Sequence, residues 1–371
     1  MTLVFHHTTH GQQIHFGAGR AAENLRTQLE SLGSRRILLI VTRSAIAAAE
    51  ALTAGLPVAA RIEGVAQHVP LPDAQRARAL AVDTGADVIV SIGGGSAVGL
   101  AKAIVVEHTV PIIAVPTTYA ASEGTDIWAV TRNGSKEIRR DARVVPVSVI
   151  YDAGLLANLP GPLAADSGLN GVAHCIDTVF AGGTSPISRE LALAGLRSLA
   201  AGLPGIAAAG GGGEAPLGSR ESCLYGGYLG AVAYSGVGRA LHHEIVHVLG
   251  GSHGLAHART HAVMLPYVSA VLASWAPDSA ARIAVELGGG TGVGDGDPAR
   301  VCVDRLLALC DLLVHPSSLA ELGLAQSELG AAVARIVGEV PAVYPRPVTV
   351  EVVADILGAA FSGADPRSLL E

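Results

Sequence analysis

Three short apolar runs near the N-terminus constrain the fold more than any other feature of this 371-residue sequence. They are RILLIVT (36–42), ADVIVSIGGGS (86–96) and TVPIIAVPTT (109–118), and each is rich in β-branched residues. Such runs are typical of strands buried on both faces of a parallel sheet. The segments GRAAENLRTQLESLG and PDAQRARALAVDTG carry apolar residues at helical spacing and end at Gly. This alternation of strand and helix predicts a doubly wound α/β domain.

The remainder of the sequence has a different pattern. From about Asp152 the β-branched runs nearly disappear, and Ala and Leu recur every three or four residues, apart from a predicted loop at 205–218. This spacing is typical of helices. We therefore predict an α/β domain over residues 1–153 and an all-α domain over residues 154–371. A cleft between two domains of unlike class is a common setting for an enzyme site.

Composition narrows the classes of partner. The formal net charge is −7, which gives no electrostatic reason to bind nucleic acid or an anionic membrane. The start, MTLVFHHTTHGQQ, has no secretory pattern, and the longer uncharged stretches are broken by Pro, Gly and polar residues. The four cysteines are scattered, which favours buried free thiols: Cys175, Cys223, Cys302 and Cys310. We expect a cytoplasmic protein with neither nucleic acid nor membrane as a partner.

A glycine-rich segment, SIGGGSAVGLAKA (91–103), follows a predicted strand and leads into a predicted helix. Gly93, Gly94 and Gly95 let backbone N–H groups approach an anion, and Ser96 adds a hydroxyl donor. The helix N-terminus behind them contributes about half a positive charge. The segment matches neither the Walker A nor the GxGxxG pattern, so a tight turn without a ligand is the alternative interpretation.

Two further segments favour a dinucleotide over a simple anion. Thr117 and Thr118 end the third apolar run and could face the same cleft. Arg43 follows the first run, where an acidic residue would bind a ribose 2′-hydroxyl. A cation there tolerates a 2′-phosphate, so we expect NADPH to be accepted as well as NADH. A solvent-facing role for Arg43 remains open.

Histidines are concentrated in HHEIVHVLGGSHGLAHARTH (242–261), which holds six of the fourteen in the sequence. His243 and His247 are four residues apart, as are Asn170 and His174 far upstream, so each pair lies one turn apart on one helix face. Imidazoles arranged in this way, with His257 from another segment, match the way in which helices gather metal ligands. A solvated histidine-rich surface is the alternative.

A family resemblance is carried by four ordered segments: GGGSAVGLAKA, PIIAVPTTYAASEGTD, LPGPLAADSGLNGVAHCIDTVF and GRALHHEIVHVLGGSHGLAHARTHAVMLP. Together they resemble the iron-containing alcohol dehydrogenase superfamily and, within it, the maleylacetate reductases. The resemblance implies a dinucleotide-binding α/β domain, a helical catalytic domain, NADH or NADPH as cofactor, and a homodimer. It also implies that the metal ligands of relatives correspond to Asn170, His174, His243 and His257, and that His247 lies beside the substrate.

Two departures from the metal-dependent relatives shape the expected chemistry. Asn170 replaces an Asp ligand, and Gly99 replaces the Asp that usually follows the glycine-rich turn. Because a neutral amide is a poorer ligand than a carboxylate, we expect a vestigial site and no metal. The resemblance then implies reduction of the conjugated C=C of maleylacetate to 3-oxoadipate. His174, His243 and His247 would stabilise the enolate, with His243 favoured narrowly over His247 as the proton donor.

The implied substrate is a small dicarboxylate, so its site needs cations. Arg239, Arg259 and Arg132 are the candidates, and surface ion pairs are the alternative for each. Glu244 stands where the maleylacetate reductases have Lys, which leaves the electrostatics of this edge and the substrate open. Two other functions also remain open: a metal-dependent alcohol or polyol dehydrogenase, and a histidine-rich metal-binding protein without catalysis.

Overall fold

A computed structural model describes residues 4–132, 135–210, 214–313, 318–340 and 344–370. The chain divides into two compact units between Leu159 and Pro160. One unit contains residues 8–159, and the other contains the chain from residue 160 onward together with the residues before Thr8. The sequence pattern had placed this division between residues 153 and 154.

The first unit is built on a parallel sheet of six strands in the order β1-β8-β5-β4-β2-β3. An antiparallel hairpin, β6–β7, stands outside this sheet. The strands are β1 Gln13–Phe16, β2 Ile37–Val41, β3 Val58–Glu63, β4 Val88–Gly93, β5 Ile112–Pro116, β6 Ile127–Arg132, β7 Ser135–Arg140 and β8 Ser148–Tyr151. The three predicted parallel strands are therefore confirmed as β2, β4 and β5.

Helices cover both faces of this sheet: α1 Ala21–Leu32, α2 Ile46–Thr53, α3 Leu71–Asp83 and α4 Gly95–Val105. Alternate residues of β2 enter two separate cores. Leu38 and Ile40 pack with residues of α3 and α4, whereas Leu39 and Val41 pack with residues of α1 and α2. Both faces of the strand are buried, which explains its uninterrupted apolar run and confirms the doubly wound α/β class.

The described residues of the second unit form helices and connecting loops, with no strand. Its helices are α5 Gly161–Phe180, α6 Pro186–Ala208, α7 Leu217–Ser235, α8 Leu241–His253, α9 His257–Trp275, α10 Pro277–Leu287, α11 Pro298–Asp311, α12 Leu329–Glu339 and α13 Val350–Ser362. This confirms the predicted all-α region. All four cysteines are buried and free, as the sequence indicated.

The predicted loop at 205–218 is wrong at both ends. Helix α6 continues to Ala208, and α7 begins at Leu217. Gly205 belongs to the last turns of α6, where an added Cβ would lie 2.1 Å from Ser219 Oγ. The glycine therefore serves close helix packing and not a turn, a distinction that local sequence does not carry.

Helix α6 is long and apolar enough to cross a membrane by length and composition, which the sequence interpretation did not anticipate. Leu196, Leu199 and Leu203 on this helix are nevertheless completely buried within the protein. An apolar helix with such a buried face is also what the core of a helical unit requires. The packing thus accounts for the composition of α6.

Candidate active site

The glycine-rich turn joins β4 to α4 and has no room for side chains at Gly93 and Gly94. Gly93 has a φ of 151°, and an added Cβ would lie 2.6 Å from the Thr42 side chain. A Cβ on Gly94 would lie 2.8 Å from Thr118 Cγ2. Gly95 is exposed at the start of α4, and no side chain caps the N-terminus of that helix. The turn therefore presents bare backbone at a helix N-terminus, which suits a phosphate.

The other candidate cofactor residues lie at the same edge of the sheet. Gly93 pairs with Pro116 in the parallel ladder, and the Thr117 N–H donates to Gly93 O at 3.0 Å. Thr118 follows directly and packs against Gly94. Because carboxyl ends of neighbouring parallel strands meet at one edge, the turn and the threonines form one surface. Ser96, half-buried in the first turn of α4, belongs to it.

Arg43 lies at the carboxyl end of β2, the strand next to β4. Its side chain is exposed, and Nη2 lies 3.6 Å from the position of a Cβ on Gly64, just beyond β3. The cation is thus at the strand edge that carries the glycine-rich turn. This placement suits a ribose 2′-phosphate, the group that distinguishes NADPH from NADH.

The helical unit gathers the candidate catalytic histidines into one cluster. Asn170 and His174 come from α5, His243 and His247 from α8, and His257 begins α9. The His174 and His243 rings are stacked with centroids 4.6 Å apart, and the His247 and His257 rings are stacked at 5.7 Å. The ring centroids of His243 and His247 are 6.1 Å apart. Histidines separated by more than sixty residues in sequence therefore share one site.

Asp177 is a site residue that the sequence interpretation missed. It lies on α5, and its side chain is completely buried. Its Oδ2 is 2.7 Å from His243 Nδ1 and accepts a second hydrogen bond from the His243 N–H at 3.1 Å. Burial raises the pKa of Asp177 to about 6, against the effect of the nearby His242 and backbone N–H groups. The available signal was its position three residues after His174, near the same helix face.

The Asp177 contact determines the tautomer of His243. A carboxylate at Nδ1 holds the proton on that nitrogen, so the neutral ring carries its lone pair on Nε2. Carboxylate–histidine pairs of this kind orient metal-ligating histidines and raise their basicity. His243 is therefore arranged as a base or ligand through Nε2.

Two more histidines were not assigned roles from sequence. His242 Nε2 and His261 Nδ1 share a hydrogen bond of 2.8 Å, and His261 Nε2 lies 3.3 Å from His257 Nε2. Burial lowers the pKa of His242 to about 3 and lowers that of His261 well below its ordinary value. Both rings are therefore neutral near pH 7. They are buried, and His261 links His242 to His257.

All three candidate substrate-binding arginines take part in ion pairs. Arg239 binds Glu244 through Nε and Nη2 at 2.9 and 2.6 Å and also contacts Glu339 at 2.8 Å. Glu244 is buried, and this bidentate ion pair with Arg239 compensates the charge of its carboxylate.

Arg132 and Arg259 make fewer contacts with carboxylates than Arg239 does. Arg132 lies on the β6–β7 hairpin, where Nε is 3.0 Å from Glu137. Arg259 on α9 lies 3.5 Å from Asp166 on α5, with its side chain 49% exposed. The contact of Arg259 is the longest of the three and leaves most of its guanidinium donors uncommitted in the described contacts.

Comparison with known proteins decides the family. A model described as iron-containing alcohol dehydrogenase matches residues 11–153, and a model for the C-terminal part of the Fe-containing alcohol dehydrogenase family matches residues 164–361. The chain belongs to the iron-containing alcohol dehydrogenase family. It is an oxidoreductase, so the hypothesis of a non-catalytic metal-binding protein is wrong.

Maleylacetate reductases are among the individual proteins that the chain resembles. The chain is 39% identical over 365 residues to a maleylacetate reductase from Rhizobium sp., covering 98% of this chain and 99% of the relative. The crystal structure of maleylacetate reductase from that Rhizobium strain matches with a TM-score of 0.86 at 36% identity, covering 98% and 100% of the two chains. An iron-containing alcohol dehydrogenase from Corynebacterium glutamicum matches with a TM-score of 0.91 at 39% identity over the whole of both chains.

The expectation that no metal takes part is wrong, because the family to which the enzyme belongs is an iron-containing one. The neutral charge of Asn170 is not enough to exclude a metal site. An amide oxygen is a weaker ligand than a carboxylate, but it remains an oxygen donor, and three imidazoles stand beside it. Asn170, His174, His243 and His257 are therefore candidate ligands and not a vestigial set.

The donor chemistry of the cluster fits iron. Asn170 Oδ1 is buried without a hydrogen-bond donor among the described residues, which is the state expected of an oxygen that binds a cation. Imidazole nitrogens suit iron, and Asp177 supplies negative charge behind His243. Within the described chain, no three His, Cys, Asp or Glu side chains already converge as a ligand group.

Proposed function

We propose that this enzyme uses NADH or NADPH to reduce the conjugated C=C of maleylacetate, and of substituted maleylacetates, giving 3-oxoadipate or its analogue. Aromatic-compound degradation would supply the substrate. The observation that carries the proposal is the imidazole cluster oriented by Asp177 in a chain 34–39% identical to several maleylacetate reductases. Hydride addition to the carbon β to the ketone creates an enolate. A hydrogen-bond donor placed beside such an anion can stabilise it by roughly 3–4 kcal/mol.

The cofactor would bind at the edge formed by Gly93, Gly94, Gly95, Ser96, Thr117 and Thr118. The glycine backbone and the N-terminus of α4 would hold the pyrophosphate. Arg43 would accept the 2′-phosphate of NADPH without excluding NADH. Bound there, the cofactor would supply the hydride that the reduction requires.

The contacts of His243 favour His247 as the proton donor, although the sequence favoured His243 narrowly. His243 keeps its proton on Nδ1, facing Asp177, so Nε2 is a base or ligand and not an acid. His247 is half-buried on the next turn of α8, whereas His243 is almost fully buried. An acid that must be recharged from water in each cycle needs such access. We propose that His247 donates the proton to the α-carbon of the enolate.

A bound iron ion would supply Lewis-acid stabilisation of oxygen in the reacting group. The residues proposed to hold it are Asn170, His174, His243 and His257. Arg259 is the proposed partner of a substrate carboxylate, because its contact with Asp166 is long and its side chain is half-exposed. Arg239 is instead committed to Glu244 and Glu339.

A spectrophotometric assay tests the activity directly. Purified enzyme is mixed with NADH or NADPH and maleylacetate, with small aldehydes and ketones as comparison substrates. Rapid oxidation of the cofactor with maleylacetate and slow oxidation with the others supports the proposal. Efficient turnover of aldehydes or alcohols with no maleylacetate reduction would overturn it.

That contrary result would favour a metal-dependent alcohol or polyol dehydrogenase as the function. One observation supports this second candidate: in a member of an iron-containing family, Asn170 Oδ1 is buried with no hydrogen-bond donor in the described part of the chain. Metal analysis of enzyme purified without chelators accompanies the assay. Loss of aldehyde turnover on metal removal would then identify the second function.

We also propose that the enzyme acts in the cytoplasm as a homodimer whose functional ligands are the cofactor and a small dicarboxylate. The net charge of −7 supports neither nucleic acid nor anionic membrane as a partner. Light scattering coupled to gel filtration tests the dimer, because it gives the mass in solution. A mass of one chain would overturn it.

A further inference from the structure

Lys102 is a fully buried lysine behind the glycine-rich turn. It lies on α4, about two helical turns after Gly95, and is only 1% exposed. Its Nζ donates to the backbone oxygens of Ser122, Thr125 and Ile127 at 2.6, 2.6 and 3.0 Å, and contacts Thr125 Oγ1 at 3.1 Å. One side chain thus binds three carbonyls of a single short segment, which we call the 122–127 segment.

The 122–127 segment continues directly from one wall of the proposed cofactor site. It connects β5, and the two threonines that follow it, to β6. Thr118 packs against Gly94, at the start of the same α4 that carries Lys102. Thr117 and Thr118 are called the threonine wall. Helix α4 therefore connects the glycine-rich turn to Lys102, and Lys102 binds the segment that follows the threonine wall in the chain.

The segment needs such an anchor because its backbone enters in a rarely populated conformation. Ala121, immediately before it, has a φ of 55°, in the left-handed region that residues with a Cβ seldom adopt. On its other side, Glu123 accepts a hydrogen bond from Tyr151 Oη at 2.6 Å, and its backbone oxygen accepts one from Gln12 Nε2 at 3.0 Å. The segment is thus held from both sides by buried polar contacts.

Burying an ammonium group is costly, even with these acceptors. Burial lowers the pKa of Lys102 to about 7, although Glu123 and Asp126 favour its charged form. An uncharged side chain of similar length could fill the same volume without this cost. The lysine is therefore better explained by what its hydrogen bonds hold in place than by packing.

We propose that Lys102 is a positioning residue for the dinucleotide: it fixes the 122–127 segment so that the threonine wall stands preformed against the glycine-rich turn. The proposal rests on the proposed function only in taking this edge as the cofactor site. A preformed wall lowers the ordering cost of binding, so its loss weakens cofactor affinity without changing the chemical step.

The test compares Lys102→Met with the wild-type enzyme. Methionine keeps the length of the side chain but has no N–H donors. We expect Kd for NADH and NADPH, measured by fluorescence titration, to rise about tenfold, the loss of roughly one hydrogen bond to a charged group. We expect kcat at saturating cofactor to stay within about twofold of wild type and KM for maleylacetate to be unchanged, because chemistry is untouched.

Arg78→Met is the matched control. Arg78 Nε donates to the backbone oxygen of Ala103, so this variant also removes a cation that binds a carbonyl near Lys102, but one outside the 122–127 segment. Cofactor Kd should not change in this variant. An equal rise in Kd in both variants would show general loosening of α4 and overturn the proposal.

Other outcomes are equally decisive. An unchanged Kd in Lys102→Met would overturn the proposal, and so would a fall in kcat with Kd preserved, which would place the effect in the chemical step. If that variant does not fold, Lys102→Gln, which keeps two N–H donors, replaces it. Faster hydrogen exchange over residues 117–127 is then expected with weaker binding, and unchanged exchange and Kd overturn the proposal. A wild-type enzyme that binds neither NADH nor NADPH would instead overturn the proposed function, and this anchor role with it.

Discussion

Asp177 Oδ2 lies 2.7 Å from His243 Nδ1 and accepts the backbone N–H of the same histidine at 3.1 Å. The carboxylate on α5 therefore fixes both the position and the tautomer of a histidine on α8. This relationship accounts for a buried acid in the helical unit, and it makes Asp177 the first residue to test.

Asp177→Asn keeps the shape of the side chain but removes its negative charge. We expect kcat/KM with maleylacetate to fall by roughly 10- to 100-fold, because the amide no longer enforces the Nδ1–H tautomer of His243. Steady-state kinetics and circular dichroism should show this loss in a folded enzyme. Wild-type kinetics in the variant would show that the contact has no catalytic role.

His247→Ala tests the proposed proton donor. We expect kcat to fall by about 10²-fold or more, because a positioned acid is lost. His253→Ala is the matched control on the same helix, since His253 is held by Glu328 at 2.9 Å and is not part of the cluster. A near-normal kcat for His247→Ala would contradict the assignment.

Asn170→Asp tests the candidate metal ligand. We expect the wild-type enzyme to bind iron or zinc and the variant to bind it at least about tenfold more tightly, because a carboxylate adds charge to the donor set. Competition with a chromophoric chelator measures both affinities. Equal affinities in the two proteins would indicate that position 170 does not contact the ion.

Arg259→Gln should raise KM for maleylacetate by about tenfold or more, because a charge-assisted hydrogen bond to a substrate carboxylate is lost. The cofactor KM should not change. Arg300→Gln on α11, whose side chain is 61% exposed, provides the control for removing a surface cation. If both variants behave alike, Arg259 does not bind substrate.

Lys102 should leave a signature in the pH dependence of stability. Burial lowers its pKa from 10.5 to about 7, so between these values the unfolded chain binds more protons than the folded chain. The contribution of this group to the free energy of unfolding therefore rises as pH increases from about 7 to 10.5, and it is lost as pH falls back across that range.

Urea unfolding of wild type and Lys102→Met isolates the effect. The difference between their free energies of unfolding should shift in favour of wild type by at least about 1 kcal/mol between pH 7 and pH 9. Parallel curves over this range would show that the lysine keeps its ordinary pKa in the folded protein.

The metal site shows what a single residue of the sequence can and cannot predict. The neutral side chain at position 170 suggested a site without iron, because the sequence shows that a carboxylate ligand is missing there. Comparison with the family contradicted that expectation. The buried oxygen of Asn170, which has no hydrogen-bond donor among the described residues, became visible only once α5 had been placed among its neighbours.

The sequence by itself determined the parallel sheet, its helices, the glycine-rich turn and the histidine pairs, because these depend on short-range periodicity and on local backbone freedom. Even Gly93 was identifiable, since a strand-to-helix turn leaves little choice of residue. Tertiary structure alone decided which distant groups meet. The contact of Asp177 with His243, the pairing of His242 with His261, and the anchoring of the 122–127 segment by Lys102 all join residues about twenty or more positions apart. Their energies depend on burial and on distances that no local pattern encodes.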